Sequence, residues 1–419
     1  MSDLLQRVTE IARTAKKASR ALALAPTAVR DAALRAAAQA LRADEAAILE
    51  ANVKDLAAAK AKGLTDAMTD RLRLDHARLE DIAVACEAVA KLPDPVGEVT
   101  EDWTRPNGLR IIRRRVPIGL VAIIFESRPN VTVDAAALCL KSGNGCVLRG
   151  GSEAIHTNIA LSKSFATGLR AAGLPAEAVT LLPFTDREAV PALGSLRGIV
   201  DIIVPRGGPG LIEAVVNSAK VPVIKHDAGI CHVYVHAQAD LAMAEQIVLN
   251  AKCQRPSACN ALETLLVDAA VAQQFLSKMA AVLAAKKTEV RACALSLPLM
   301  PGAKAATEQD FRTEHLGLIL NVKIVAGLAE AVAHVEDYGS HHSDAIITAD
   351  ESAARAFLAQ IDSACVYWNA STRFTDGGEF GFGAEVGIST DRLHARGPMG
   401  IRELTTWKFE IVGQGQVRG

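Results

Sequence analysis

The sequence lacks an excess of either charge: 46 lysines and arginines stand against 47 aspartates and glutamates, a formal net charge of −1 over 419 residues. That balance excludes a disordered polyelectrolyte and a general nucleic-acid binder, both of which need a strong bias. No uninterrupted apolar stretch approaches the roughly 20 residues required to cross a bilayer, so no membrane partner is expected. The opening, Met1 to Lys17, mixes acids and bases with apolar residues at helical spacing, unlike a signal peptide, and a cytoplasmic location is expected. The Asn130-Val131-Thr132 and Asn369-Ala370-Ser371 sequons are then coincidental. Eight cysteines spread from Cys86 to Cys365 show no short framework spacing, which points to reduced thiols. No C-x-x-C pair or repeated histidine spacing accompanies Cys231-His232 and Cys253, so no metal is expected. The dinucleotide fingerprint is missing too: Gly143-Asn144-Gly145 is followed by Leu148 where a third glycine is needed, and it precedes a strand. No internal repeat is present.

What is there suits a two- or three-domain protein with a sizeable core, since half of the residues are hydrophobic and a domain takes about 150 residues. Its partners are expected to be small molecules or copies of itself. From Ser2 to about Leu92, alanine, leucine and charged residues recur at three- and four-residue spacing, the pattern of successive amphipathic helices. Pro26-Thr27 and Gly63-Leu64-Thr65 punctuate them. After Pro93-Asp94-Pro95 the texture becomes β-branched, and Leu109 to Val116 reads as part of a protruding hairpin broken by Pro117-Ile118-Gly119.

From Leu120 strands and helices alternate: Leu120 to Phe125, a helix near Val133 to Lys141, Gly145 to Arg149, a helix from Glu153 to Ala172, and Val179 to Leu182. Asp201 to Val204, a helix from Leu211 to Ala219, and Val221 to Lys225 continue the series. This α/β alternation predicts a parallel, doubly wound sheet that receives ligands at the carboxyl ends of its strands. A second series, from Ala239 to Trp368, reads as a separate domain. Asn369 to Gly400 is long for an idle loop and is read as functional.

Two strand-to-helix turns can turn backbone N–H groups toward a phosphate: Arg149-Gly150-Gly151-Ser152, and Pro205-Arg206-Gly207-Gly208-Pro209-Gly210. Each contains an arginine, which binds phosphate bidentately; ordinary tight turns explain them equally well. Most cysteines sit in apolar or helical surroundings, as Cys86 and Cys139 do, and read as packed small hydrophobes. Cys259 differs, lying in the polar turn Gln254-Arg-Pro-Ser-Ala-Cys-Asn260 before a strand, where a thiol can be exposed as a nucleophile. His341-His342 reads as a loop pair or a substrate contact.

Several segments resemble the γ-glutamyl phosphate reductases, a family of the aldehyde dehydrogenase superfamily. They are Val116-Pro-Ile-Gly-Leu, Phe125-Glu-Ser-Arg-Pro-Asn-Val-Thr-Val133, Leu148-Arg-Gly-Gly151, Pro205-Arg-Gly-Gly-Pro-Gly210 and Gln254 to Asn260. His342-Ser-Asp-Ala-Ile346, Asn369-Ala-Ser-Thr-Arg-Phe-Thr-Asp-Gly-Gly378 and His394-Ala-Arg-Gly-Pro-Met-Gly400 follow in the same order. The resemblance implies a Rossmann-like cofactor domain (1–99 and 117–227), an α/β catalytic domain (228–402) and a small β oligomerisation element (100–116 and 403–419) that closes a homo-oligomer.

It also implies NADPH-dependent reduction of L-glutamate 5-phosphate to L-glutamate 5-semialdehyde, on the route to proline, with glutamate 5-kinase as a transient partner. Cys259 takes the place of the nucleophile that forms a thioester, and Asn130 that of the oxyanion-hole amide. Arg149, Gly150, Arg206, Gly207, Gly208, Gly210 and Glu314 take cofactor-binding places: Arg149 suits a 2′-phosphate, and Glu314 the nicotinamide ribose. Arg255, Ser343, Arg373, Thr375 and His394 are candidates for the substrate's phosphate or α-carboxylate. Hydrolytic aldehyde dehydrogenases carry a glutamate base in a Glu-Leu-Gly-Gly segment, whereas this chain has His226-Asp227-Ala228-Gly229, so no glutamate there activates water against the thioester.

Overall fold

The computed structural model describes residues 2–225 and 228–418. The chain divides into two compact units, Met1–Lys225 with Gly381–Gly387 and Pro398–Gly419, and His226–Phe380 with Ile388–Gly397.

In the first unit the alanine- and leucine-rich start forms helices Asp3–Leu24, Thr27–Ala43, Glu45–Ala61, Asp66–Leu72 and His76–Ala90, as expected of residues that lose little rotamer freedom in a helix. Ser2, Thr65 and Asp75 cap three of them through side-chain oxygens that accept from Leu5, Met68 and Arg78 N–H groups. Gly63, at φ +69°, ends the third. Beyond them lies a parallel sheet in the order Val179–Leu181, Gly145–Arg149, Leu120–Phe125, Ile202–Arg206. Its inner strand Leu120–Phe125 is buried at every residue, which is why the sequence there is a continuous apolar run. Val8, Ala12 and Ala15 of the first helix close one core with Leu120, Ala122, Ile124, Val147 and Ile203.

Two expectations change here. The strand anticipated at Val221 to Lys225 is only a single parallel bridge between Val223 and Ile203, because Pro222 has no N–H for a ladder. The helix anticipated from Glu153 begins as a 3₁₀ turn, Ser152–Ala154, before the α-helix Ile155–Ala171. The hairpin Val99–Thr104 with Arg110–Pro117 takes Thr405–Val412 as a third antiparallel strand.

Buried cations fasten the helix Val131–Lys141 in place. Arg30, 2% exposed, donates to Asp94 (2.5 Å) and the Lys141 carbonyl (2.9 Å); Lys141, 1% exposed, donates to Asp31 (2.6 Å) and the Ala90 carbonyl (2.9 Å). Removing one member would leave a buried charge without its partner, typically a loss of about 3–5 kcal/mol. Asp55 likewise accepts from the Thr157 N–H (2.8 Å) and hydroxyl (2.6 Å), fixing the start of Ile155–Ala171.

The second unit is built on seven parallel strands in the order Lys304–Ala305, Glu289–Ala292, Ile319–Val325, Leu262–Asp268, Cys231–Val235, Ser343–Ile347, Cys365–Trp368. Val233, Leu265, Val322, Ala345 and the helix residues Val248, Phe275 and Leu276 form its main core. The helix Leu241–Cys253, capped by Asp240, runs directly into the turn that carries Cys259.

Candidate active site

Cys259 is half-buried on the link between the helix Leu241–Cys253 and the strand Leu262–Asp268. Its carbonyl accepts from the Cys231 thiol at 3.3 Å. Burial pushes that second thiol well above its ordinary pKa, so it stays protonated and able to donate. Gly229 packs so closely that a Cβ there would overlap the Cys259 backbone carbonyl. The neighbouring Asn260 is the tether to the long loop: its amide donates to the carbonyls of Thr375 (2.8 Å) and Arg373 (3.4 Å), and its own carbonyl accepts from the Thr372 hydroxyl (2.7 Å). Arg373 completes the clasp on the Asn260 side-chain oxygen and on Gln254 (2.9 Å).

The Cys231 sulfur also lies 3.8 Å from His342 Nδ1, which meets Ser343 Oγ at 2.8 Å. Ser343 Oγ meets Thr375 Oγ1 at 2.6 Å, and Thr375 Oγ1 meets the Tyr367 hydroxyl at 2.7 Å. A polar relay thus runs from the carbonyl of Cys259 to the buried hydroxyls of Ser343 and Thr375. Cys231, Ser343 and Cys365 stand at the amino ends of their strands, opposite to the carboxyl-end rule for open parallel sheets. Arg255 is exposed and close enough for its charge, after burial itself, to lower the Arg373 guanidinium. Two neighbouring guanidiniums suit an anion. His394 is exposed on the segment between Ser389 and Gly397.

Glu314 is half-buried and accepts the Gly229 N–H; burial raises its carboxyl, against the pull of that bond and of Lys252. His226 and Asp227, which stand where hydrolytic aldehyde dehydrogenases carry a glutamate, lie outside the described residues.

In the first unit Asn130 immediately precedes the helix Val131–Lys141, and its amide donates to Asp134 Oδ2 at 2.7 Å. Burial raises the Asp134 carboxyl to about 6, while the Asn130 bond and the charge of Arg206 pull it down. Arg149 is 7% exposed and donates to the carbonyls of Thr185 (2.9 Å) and Asp186 (3.4 Å); its Nε is buried with no partner. Beside it Gly150 leaves no room for a Cβ against Asn158, whose Nδ2 is also a buried donor with no partner. At the second turn the Gly208 N–H is already taken, by Glu126 Oε2 at 3.1 Å, and Gly207 packs against the same carboxylate. Gly210 faces open space, and Arg206 lies against Gly387.

The sequence from residue 5 to residue 292 matches the model of the aldehyde dehydrogenase family. A γ-glutamyl phosphate reductase from Moorella thermoacetica is 54% identical over 404 residues, covering 96% of this chain and 97% of the relative. One from Symbiobacterium thermophilum is 53% identical, over 98% of this chain and all of the relative. The chain belongs to the γ-glutamyl phosphate reductase family. A crystal structure of the γ-glutamyl phosphate reductase from Thermotoga maritima superposes with a TM-score of 0.96 at 44% identity and covers 100% of both chains. The protein is therefore an oxidoreductase with the α/β aldehyde dehydrogenase fold.

Motif spacing alone does not single out Cys231, Asn260, Gln254 and Tyr367 as neighbours of Cys259 and of the Ser343–Thr375 pair. Asn260 had a signal, as it ends the segment Gln254 to Asn260. Cys231 had none, because a buried thiol that donates to a carbonyl has the same local sequence as a packed one. Among the described residues no group of three or more His, Cys, Asp or Glu is arranged to hold a metal ion.

Proposed function

We propose that this chain reduces L-glutamate 5-phosphate to L-glutamate 5-semialdehyde with NADPH, through a thioester on Cys259, as a step of proline biosynthesis. The observation that carries the reading is the half-buried Cys259 thiol on a backbone fixed by Cys231, Gly229 and the Asn260 tether. A nucleophile so placed starts near its reactive geometry, which removes part of the entropic barrier.

In this reading the Cys259 thiolate attacks the γ-carbonyl, the C–O bond to phosphate breaks, and a thioester remains. Asn130 serves as oxyanion donor, its amide oriented by Asp134. The Arg255–Arg373 pair takes the departing phosphate or the α-carboxylate, and Ser343 and Thr375 supply hydroxyl contacts. A nicotinamide cofactor fits the Arg149–Gly150 turn, where two buried donors, Arg149 Nε and Asn158 Nδ2, lack partners and no Cβ crowds the backbone. When bound, NADPH supplies the hydride that takes the thioester to the aldehyde level. Arg206, Gly207, Gly208 and Gly210 would face its phosphates once Glu126 releases the Gly208 N–H.

The test is phosphate-dependent reduction of NADP+ by glutamate 5-semialdehyde, which follows the reaction in reverse. The parent chain is expected to turn over only when phosphate is present, and the Cys259→Ala variant not at all. Turnover without phosphate, or undiminished in the variant, contradicts the reading.

A further inference from the structure

Lys252 and Glu263 are both 0% exposed and meet at 2.9 Å. Such a pair gains little for the fold, since the desolvation of two ions consumes most of their attraction and apolar replacements are often neutral. Stability therefore gives no reason for it. Geometry gives one. The second oxygen of Glu263 accepts the N–H of Leu316 at 3.2 Å. Leu316 has φ +51°, the left-handed region that a leucine enters only when its surroundings impose it. Two residues earlier Glu314 accepts the Gly229 N–H, and Gly229 lies on the backbone of Cys259. Lys252 itself sits in the last turn of the helix that runs into the Cys259 turn.

We propose that the Lys252–Glu263 pair is a positioning device, which holds the Glu314–Leu316 turn in its strained shape and so presents the Glu314 carboxylate to the cofactor. The proposal rests on the reading of Glu314 as a nicotinamide-ribose contact. Burial holds the Glu263 carboxyl up at about 7 even with the Lys252 charge, the Lys252 hydrogen bond and the Leu316 N–H pulling it down.

The experiment uses the full chain and a fluorescence titration with NADPH, alongside thermal melting. The apolar double variant Lys252→Met/Glu263→Leu is expected to melt within a few degrees of the parent yet bind NADPH at least tenfold more weakly, as Glu314→Gln does. Adding Leu316→Gly, which adopts the left-handed turn without an anchor, is expected to recover at least threefold of that loss. If the double variant does not fold, Glu263→Gln replaces it, with a loss of at least threefold expected. Unchanged NADPH affinity, or a loss that Leu316→Gly does not relieve, overturns the proposal. A parent chain that binds no NADPH overturns the cofactor reading as well, and that failure is recognisable because it appears before any substitution.

Discussion

The buried thiol of Cys231 donates to the backbone carbonyl of Cys259 across 3.3 Å. One cysteine thus fixes the peptide that carries the other, and burial keeps the donor protonated. A hydrogen bond of this kind is worth about 1 kcal/mol, roughly fivefold in a rate if it is felt wholly in the transition state. Cys231→Ala should lower kcat by roughly that factor, and Cys231→Ser, which keeps a donor, should retain most of it. Steady-state kinetics of both variants checks the prediction; equal losses would assign the effect to packing.

Gly229→Ala tests the closest approach in the site. Its Cβ would overlap the Cys259 carbonyl, and overpacking a tight site typically costs about 1–3 kcal/mol. Because the strain falls on the Cys259 peptide, activity should fall by at least tenfold while the melting temperature falls by only a few degrees. Activity and melting measured on one preparation separate the two effects.

Asn260→Ala removes the amide bonds to the half-buried Arg373 carbonyl and the buried Thr375 carbonyl and leaves the buried Thr375 acceptor without its donor, a cost of about 1–3 kcal/mol. The loop that carries Arg373 and Thr375 should loosen. The expected signature is a rise in KM for the acyl phosphate larger than the fall in kcat, together with faster proteolysis between residues 369 and 380.

Asp134 gives a pH dependence with a definite sign. Its folded pKa is raised to about 6, so the proton is held more tightly in the folded chain than in the unfolded one. The associated stability is fully present below the ordinary aspartate value near 4 and is lost as pH rises through about 6. Asp134→Asn should therefore raise the melting temperature at pH 8 and leave it nearly unchanged at pH 4, which melting curves across that range will read. Asn130→Ala, by contrast, should lower kcat by roughly 10²–10³ at every pH, as loss of an oxyanion donor does.

Much of the fold was legible because its signals are local. The strands Leu120–Phe125 and Gly145–Arg149 were read with the bounds observed, since short apolar runs between helical stretches have few other solutions in an α/β chain. Val221 to Lys225 misled because its β-branched residues outvoted Pro222, which only the ladder itself makes decisive. The helix Ala189–Gly194 has no clear sequence signal because it is only 6 residues long and holds Pro191 within it.

The site was legible only where chemistry and motif coincide. Cys259 stood out as a thiol in a polar turn, but the partners that hold its peptide come from residues 229, 231 and 372–375, which no periodicity links to it. The two glycine turns show the converse. Their sequence suits a phosphate cradle and an ordinary tight turn equally, and the neighbour of Gly207 and of the Gly208 N–H is the Glu126 carboxylate, a contact 82 residues away in sequence that turn chemistry alone does not specify.

The most direct test is intact-protein and peptide mass spectrometry of the chain quenched after mixing with glutamate 5-phosphate in the absence of NADPH. The account predicts one glutamyl adduct per chain, labile to hydroxylamine as a thioester is, located on Cys259 and discharged when NADPH is added. An adduct on another residue, or full turnover by a chain that never acquires one, contradicts it.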